Sequence, residues 1–436
     1  MKFIFADALD MVDPGYDFTL DRASVGREPY WDDKYPHEVF GRAPYDGVLV
    51  SRAIVGDSRF AGKYTAAQSM RFHRVGAREF LRLSGAPLDS LPLFGDCGAF
   101  SYASLQQPPY KTDDTLDFYA DGQFTHGCSV DHVIFDFDPS QKGLKGASAT
   151  AKQRWDITLS NAASFLKAAS SLGKSFTPMG VVQGWSPDSK ALAAQQLERM
   201  GYRYLAVGGM VPLSAKDIHA CLAAIRSKIS PRIKLHLLGF AKADNVEEFQ
   251  RYGIASFDSS SPLIRAFKDA RSNYYLPNGA GKLKYYTAIR IPQSTENARL
   301  TRKAKAGSVN QETLQALETK ALRTLREFDS HRASLKTTLD SILEYHKHLD
   351  SELKTTAESF RQRYEQTLEA RPWKSCTCTI CAALSVEVVI FRTSNRNKRR
   401  GFHNLFVYHE HLKRIINREN HGGREAKVPR DLRSPA

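Results

Sequence analysis

The sequence predicts an α/β chain built on a (β/α)8 TIM barrel, with a long helical insertion and a late zinc-binding subdomain. Short apolar, β-rich runs alternate with helix-period segments through residues 1–291. About eight such runs fall within some 260 residues, the size and rhythm of that barrel. The alternative, a doubly wound open sheet, lacks support because the chain carries no Gly-rich dinucleotide loop or P-loop signature.

In chain order the expected strands are 3–5, 47–51, 91–95, 132–137, 178–182, 204–208, 234–239 and 254–257, with helices at 157–172, 189–200, 215–229 and 244–252. After about Pro292 the pattern changes to long polar helices. Leu314, Leu317, Ala321, Leu325 and Phe328 form one apolar stripe; Leu335, Leu339, Ile342, Leu349, Leu353, Phe360, Tyr364 and Leu368 form a second. Steps of three and four predict a coiled-coil-like hairpin turning near Asp329-Ser330-His331, its second helix on the order of 50 Å long at about 1.5 Å per residue. Such an arm either covers the barrel or binds a partner or nucleic acid. The expected domains are the catalytic barrel 1–291, the helical insertion 292–371, a zinc-binding subdomain with closing helix 372–421, and a basic, disordered tail 422–436.

Cys376, Cys378, Cys381 and His403 supply three thiolates and an imidazole, a complete tetrahedral zinc set with no open position, which predicts a structural metal. His409 and His411 are rival fourth ligands. Six cysteines in 436 residues do not make a secreted disulfide framework, so Cys97, Cys128 and Cys221 are expected to be reduced. Asp7 interrupts the N-terminal apolar run too early for a signal-peptide core, and no run approaches the roughly 20 residues of a membrane span. A cytoplasmic protein is expected. The net charge of +15 points to a polyanionic partner. Arg392, Arg396, Lys398, Arg399 and Arg400, between the third cysteine and His403, are the candidate phosphate contacts; the competing reading is a solvated basic loop.

A barrel carries its chemistry on the loops at the C-terminal ends of its strands. Asp96, Asp136, Asp138, Gln183 and Asp258 end apolar runs and are the candidates, each also readable as a helix cap or loop hydrogen-bonder. Two carboxylates suffice for a nucleophile and a proton-transfer group at a sugar's anomeric carbon. Gly208-Gly209 would let a planar ligand lie against main-chain groups, with Phe100 and Leu238 as apolar faces.

Asp96-Cys97-Gly98-Ala99-Phe100, Val182-Gln183-Gly184, Ala206-Val207-Gly208-Gly209, Leu237-Leu238-Gly239, Phe257-Asp258 and the Cys-x-Cys-x-x-Cys…His403 set resemble, in order, the motifs of tRNA-guanine transglycosylases. That resemblance implies a zinc-bearing (β/α)8 barrel that exchanges guanine for a 7-deazaguanine. It assigns Asp258 as nucleophile on C1′ and Asp96 as general acid/base. Asp136, Gln183 and Gly209 would hold the base edge, and Phe100 and Leu238 its faces. Pro262-Leu263-Ile264-Arg265 departs from the usual anticodon-reading segment, and Met210-Val211-Pro212-Leu213-Ser214 lacks the glutamate that accompanies an aminomethyl base, which favours the nitrile base preQ0. The N-terminal run through Asp13-Pro14, with Tyr35-Pro36-His37-Glu38-Val39-Phe40 and Ser129-Val130-Asp131-His132-Val133-Ile134, is similar to the DNA-modifying DpdA family of the superfamily. The implied function is exchange of guanine in DNA for preQ0 through a covalent aspartyl-deoxyribosyl intermediate, possible help coming from an ATPase of the same modification system. The alternatives are a tRNA-guanine transglycosylase and a non-catalytic nucleic-acid-binding scaffold.

Overall fold

The computed structural model describes residues 1–240, 246–278, 282–349 and 358–422. The tail expected at 422–436 lies outside them from residue 423, as do Leu353 and the start of the 244–252 helix. The chain forms two compact units: Met1–Asp10 with Tyr45–Ser261, and Met11–Pro44 with Pro262–Ala436. The first unit ends at Ser261, and the 11–44 excursion belongs with the C-terminal unit.

The first unit is a closed barrel of eight parallel strands in sequence order: β1 (Lys2–Ala6), β2 (Gly47–Ser51), β3 (Leu93–Asp96), β4 (His126–Cys128), β5 (Thr177–Val182), β6 (Tyr204–Val207), β7 (Lys234–Leu237) and β8 (Ile254–Ser259). Pairing of β1 with both β2 and β8 closes the ring. Helices return the chain between strands, and their ends are written locally. Ser148 caps Ala149–Ala168, Ser186 with Pro187 opens Pro187–Met200, left-handed Gly201 ends it, and Ser214 caps Ala215–Lys228. Inside the ring Ile4, Leu49, Phe94, Cys128, Met179, Val181, Tyr204 and Ala206 pack as one core. Cross-strand register sets Ser51 opposite Asp96, Val182 opposite Val207, and Val207 opposite Leu237. Asp96, Gln183, Gly208, Leu238 and Asp258 therefore all emerge at the C-terminal face.

Seven of the eight expected strands are present with boundaries shifted by a residue or two. The exception is 132–137: no strand forms there, and the fourth strand is the short His126–Cys128. Its Gly127 gives no apolar signal because Tyr119 occupies the space of a side chain; a Cβ would lie 2.5 Å from that ring. Val133 and Ile134 are apolar for a different reason, being buried in an irregular segment beyond the strand end.

In the second unit Gln311–Asp329 and Leu335–His346 form the expected hairpin, its turn carrying His331 at φ 61°. Leu314, Ala321, Leu325, Phe328, Leu339 and Ile342 are its buried seam. The expected long second helix is replaced by two. The His346 and Tyr364 rings lie 5.7 Å apart, whereas a continuous helix would separate them by about 27 Å at 1.5 Å per residue. The helix Glu358–Ala370 folds back on its predecessor instead. The antiparallel pair β9 (Tyr274–Pro277) and β10 (Leu283–Tyr286), and the parallel pair β11 (Ile289–Arg290) and β12 (Ile390–Phe391), lead to the last helix, Ser394–Gly422.

Candidate active site

Asp258 ends β8 almost buried, at 6% exposure. Its Oδ1 accepts the Gly239 N–H at 2.9 Å and faces His236 Nε2 at 3.1 Å. The other ring nitrogen of His236 is 2.6 Å from Ser256 Oγ, which is 2.6 Å from Tyr204 OH. One assignment satisfies every group: Tyr204 O–H donates to Ser256, Ser256 O–H to His236 Nδ1, and His236 Nε2–H to Asp258. Gly239, at φ 60°, is where the chain turns to aim its amide at the carboxylate. Two donors thus hold Oδ1, and neither engages Oδ2.

Asp96 stands at the end of β3, with its Oδ2 accepting the Gly98 N–H at 3.2 Å. Burial, reinforced by the charges of Asp131 and Asp258, pushes its carboxyl up to about 7. A carboxylic acid that titrates there can give a proton and take it back near neutrality.

Asp131 is a buried carboxylate beside Gln183. It follows β4 by three residues, is 3% exposed, and accepts from Gln183 Nε2 at 2.7 Å and Cys97 Sγ at 3.2 Å. Burial raises its pKa as well. Gln183 Oε1 is buried with no hydrogen-bond partner among the described residues, an acceptor open to a ligand's N–H. A Cβ at Gly208 would come within 2.4 Å of Gln183 Nε2, so a side chain there would displace that amide. Gly209, at φ 67°, turns the backbone beside the same amide. Fully buried Lys190 donates to the Gly208 carbonyl at 2.7 Å and fixes that peptide. Exposed Phe100 meets exposed Phe135 at 6.1 Å between ring centres, and Leu238 packs partly buried on the barrel core.

Asp136 does not join this constellation. It is exposed and accepts Ser148 Oγ at 2.7 Å, so it braces the cap of the Ala149–Ala168 helix. Asp138 likewise holds a turn through Ser140 and Gln141. Asp136 ends the apolar run expected as a strand, whereas with β4 at 126–128 it is Asp131 that stands just beyond the strand end. His236, Lys190 and Asp131 were the residues missed, and the polar interruption of an apolar strand at His236 was the available signal.

In the second unit Cys376, Cys378, Cys381 and His403 converge, their ligand atoms all within 4.8 Å of one another. The three sulfurs lie 3.3–3.5 Å from His403 Nδ1. A tetrahedral centre with metal–sulfur bonds of about 2.3 Å and metal–nitrogen bonds of about 2.05 Å sets that edge at about 3.6 Å, so the donors fit such an ion. His403 Nε2–H donates to the Tyr275 carbonyl at 2.9 Å, which frees Nδ1 as the ligand, and the Tyr274 ring stacks on the imidazole at 4.0 Å. The rivals His409 and His411 are not part of the cluster. All six cysteines are free thiols.

The basic run departs from its expected role. Arg396 and Arg400 are fully buried and Arg399 nearly so. Arg396 pairs with Asp21 at 2.7 Å and with Glu387, and Arg392 with Asp21 and with Glu318 at 2.5 Å. Arg399 donates to the Asp13 carbonyl at 2.7 Å, and Arg400 to the Ala266 carbonyl at 2.6 Å. Lys398 lines a cavity with Asp13, Asp21, Asp33 and Glu296, an acidic setting that repels phosphate. These cations bind the 11–44 excursion to the C-terminal helix rather than facing a ligand.

Substitution at a sugar's C1′ is chemistry that two such carboxylates are equipped to perform, and this chain belongs to the guanine transglycosylases, a class of pentosyltransferases. Within that class it is similar to the DNA-guanine transglycosylase of Salmonella montevideo, with 40% identity over 414 residues, 94% of this chain and 96% of the relative. No protein-family model matches the chain.

Proposed function

We propose that the protein exchanges guanine in DNA for the 7-deazaguanine base preQ0, with Asp258 as nucleophile and Asp96 as general acid/base. The observation that carries the chemistry is the pairing of an anchored Asp258 carboxylate with an Asp96 carboxyl pushed up to about 7. Support for DNA comes from the relative's activity.

Asp258 Oδ2 attacks C1′ of the target deoxyguanosine as the C1′–N9 bond breaks; the departing guanine takes a proton from Asp96, leaving a deoxyribosyl ester on Asp258. PreQ0 then enters the vacated slot and loses its N9 proton to the Asp96 carboxylate. Its N9 forms the new C1′ bond as the ester bond to Asp258 breaks. Asp131 and the free Gln183 Oε1 accept from the base's N1–H and amino group, the Gly209 N–H donates to its carbonyl, and Phe100 and Leu238 flank its faces. Val211, exposed where a carboxylate would accompany an aminomethyl base, suits a neutral nitrile. Because C1′ is shielded in a duplex, the target nucleotide is flipped out or presented single-stranded, at a cost of roughly a few kcal/mol. The Cys3His centre binds zinc and holds the C-terminal subdomain together. Among the described residues no helix is long and apolar enough to cross a membrane, which suits a cytoplasmic enzyme acting on DNA.

The test is incorporation of labelled preQ0 into DNA and, separately, into bulk tRNA, with and without the ATPase of the modification system, and with Asp258→Asn as control. Label in DNA that Asp258→Asn abolishes is the expected result. Label in tRNA alone would establish the tRNA alternative, and label in neither, with the ATPase present, would favour a scaffold.

A further inference from the structure

We propose that a cleft in the second unit, between β10 and the helix Glu358–Ala370, binds the sugar–phosphate backbone of the DNA strand on which the enzyme acts. The inference rests on DNA being the substrate. The cleft encloses about 370 Å3, within the roughly 300–1,000 Å3 of sites that accept small organic groups and larger than a lone ion requires. Three cations line it from three separate segments: Arg271 from the turn before β9, Lys284 on β10, and Arg363 on the helix. All three are exposed, and among the described residues none makes a salt bridge and no carboxylate lines the cleft. Asp269, two residues before Arg271, is turned to the Arg271 and Ser272 backbone amides at 2.8 and 2.9 Å.

This is the reverse of the 392–400 run, where the guanidinium groups are buried against Asp21, Glu318 and Glu387. Three exposed cations converging on one concavity, with no salt-bridge partner among the described residues, make it a positive surface suited to an anion. Two tyrosines identify the anion's kind. Tyr285 and Tyr286 line the cleft half-buried, with Lys284 5.2 Å from the Tyr286 ring centre. Cations interleaved with aromatic faces are the pattern that tracks a single strand, the charges on phosphates and the rings against sugars or bases. The Gln366 amide adds a neutral polar group at the rim. The hydroxyls of Thr287 and Thr367 are engaged with the Arg271 and Thr287 carbonyls, so they brace the walls.

The experiment is fluorescence anisotropy of a labelled guanine-containing single strand across a salt series, for wild-type protein, Arg363→Ala, and the triple variant Arg271→Ala/Lys284→Ala/Arg363→Ala. Each phosphate contact contributes about 0.7 to the slope of log K against log salt for a single strand, so the triple variant should flatten it by about 2. Because the three side chains are exposed, the melting temperature should stay within a degree or two, and Arg363→Lys should restore most of the single variant's slope. A wild-type protein that binds the strand while the triple variant keeps the same slope would overturn the cleft and leave base exchange standing. Failure of the wild-type protein to bind any DNA would overturn both.

Discussion

Asp258 and Asp96 differ in what surrounds them, and that difference suits them to the two proposed roles. Asp258 meets an amide and an imidazole, both placed to donate to a carboxylate, whereas Asp96 sits among other carboxylates. Asp258→Asn should lower base exchange on the order of a thousandfold or more while leaving metal content unchanged, as checked by single-turnover kinetics and metal analysis. The raised Asp96 has a stability consequence whose sign is fixed. Its folded value, about 7, exceeds its unfolded value, 3.8, so the folded protein holds the extra proton between those limits. The stabilisation is full below about 4 and is lost as pH rises towards 7; Asp7, pushed up to about 6 by burial and Asp10, adds in the same direction. Asp96→Asn should therefore raise the melting temperature relative to wild type at pH 8 and leave it nearly unchanged at pH 4, by thermal melts across pH. The carboxylate proposed to hold the base edge provides a sharper contrast. Asp131→Asn should reduce kcat/KM by about 10- to 150-fold, the loss of one charged hydrogen bond of about 1.5–3 kcal/mol, while Asp136→Asn stays within about twofold. Asp96, Gln183, Gly208, Gly209 and Asp258 were legible because each closes a strand with a local string. Asp131 was not, because its position depends on where β4 ends, and Lys190 was not, because a helix lysine reads as solvated until the sheet behind it is known.

Elements divide in the same way. The barrel strands were legible where apolar residues face both the ring and the surrounding helices, and illegible at β4, where Gly127 makes room for Tyr119. The 311–346 hairpin followed from spacing alone, but the fold-back that brings Tyr364 to His346 is a tertiary choice that a period of 3.6 does not encode. The Cys3His set was legible because three ligands share one loop. Cys378→Ser should cost the bound zinc and lower the melting temperature by several degrees, read by metal analysis and calorimetry. The arginine run shows the opposite limit. Arg392 finds Asp21 across a sequence separation of 371 residues, so a segment that reads as a basic surface loop becomes a buried ion network. Arg396→Ala should destabilise by about 3–5 kcal/mol, because Asp21 and Glu387 lose a buried partner, and its effect should appear in denaturant melts.

At the scale of the whole molecule, the net charge of +15 pointed to a polyanion but not to where it binds. Burial of Arg396, Arg399 and Arg400 removes the obvious patch, and the unopposed trio at Arg271, Lys284 and Arg363 takes its place as the surface fitted to phosphate. Base exchange as proposed depends on one bond, the ester between Asp258 and C1′ of the sugar. The most direct measurement is to mix the enzyme with guanine-containing single-stranded DNA in the absence of an incoming base, denature rapidly, and map any covalent adduct by peptide mass spectrometry. A deoxyribosyl-linked strand on the peptide bearing Asp258, absent in Asp258→Asn and discharged by preQ0, is the predicted result. Exchange that proceeds at full rate in Asp258→Asn, or an adduct on a different residue, would contradict it.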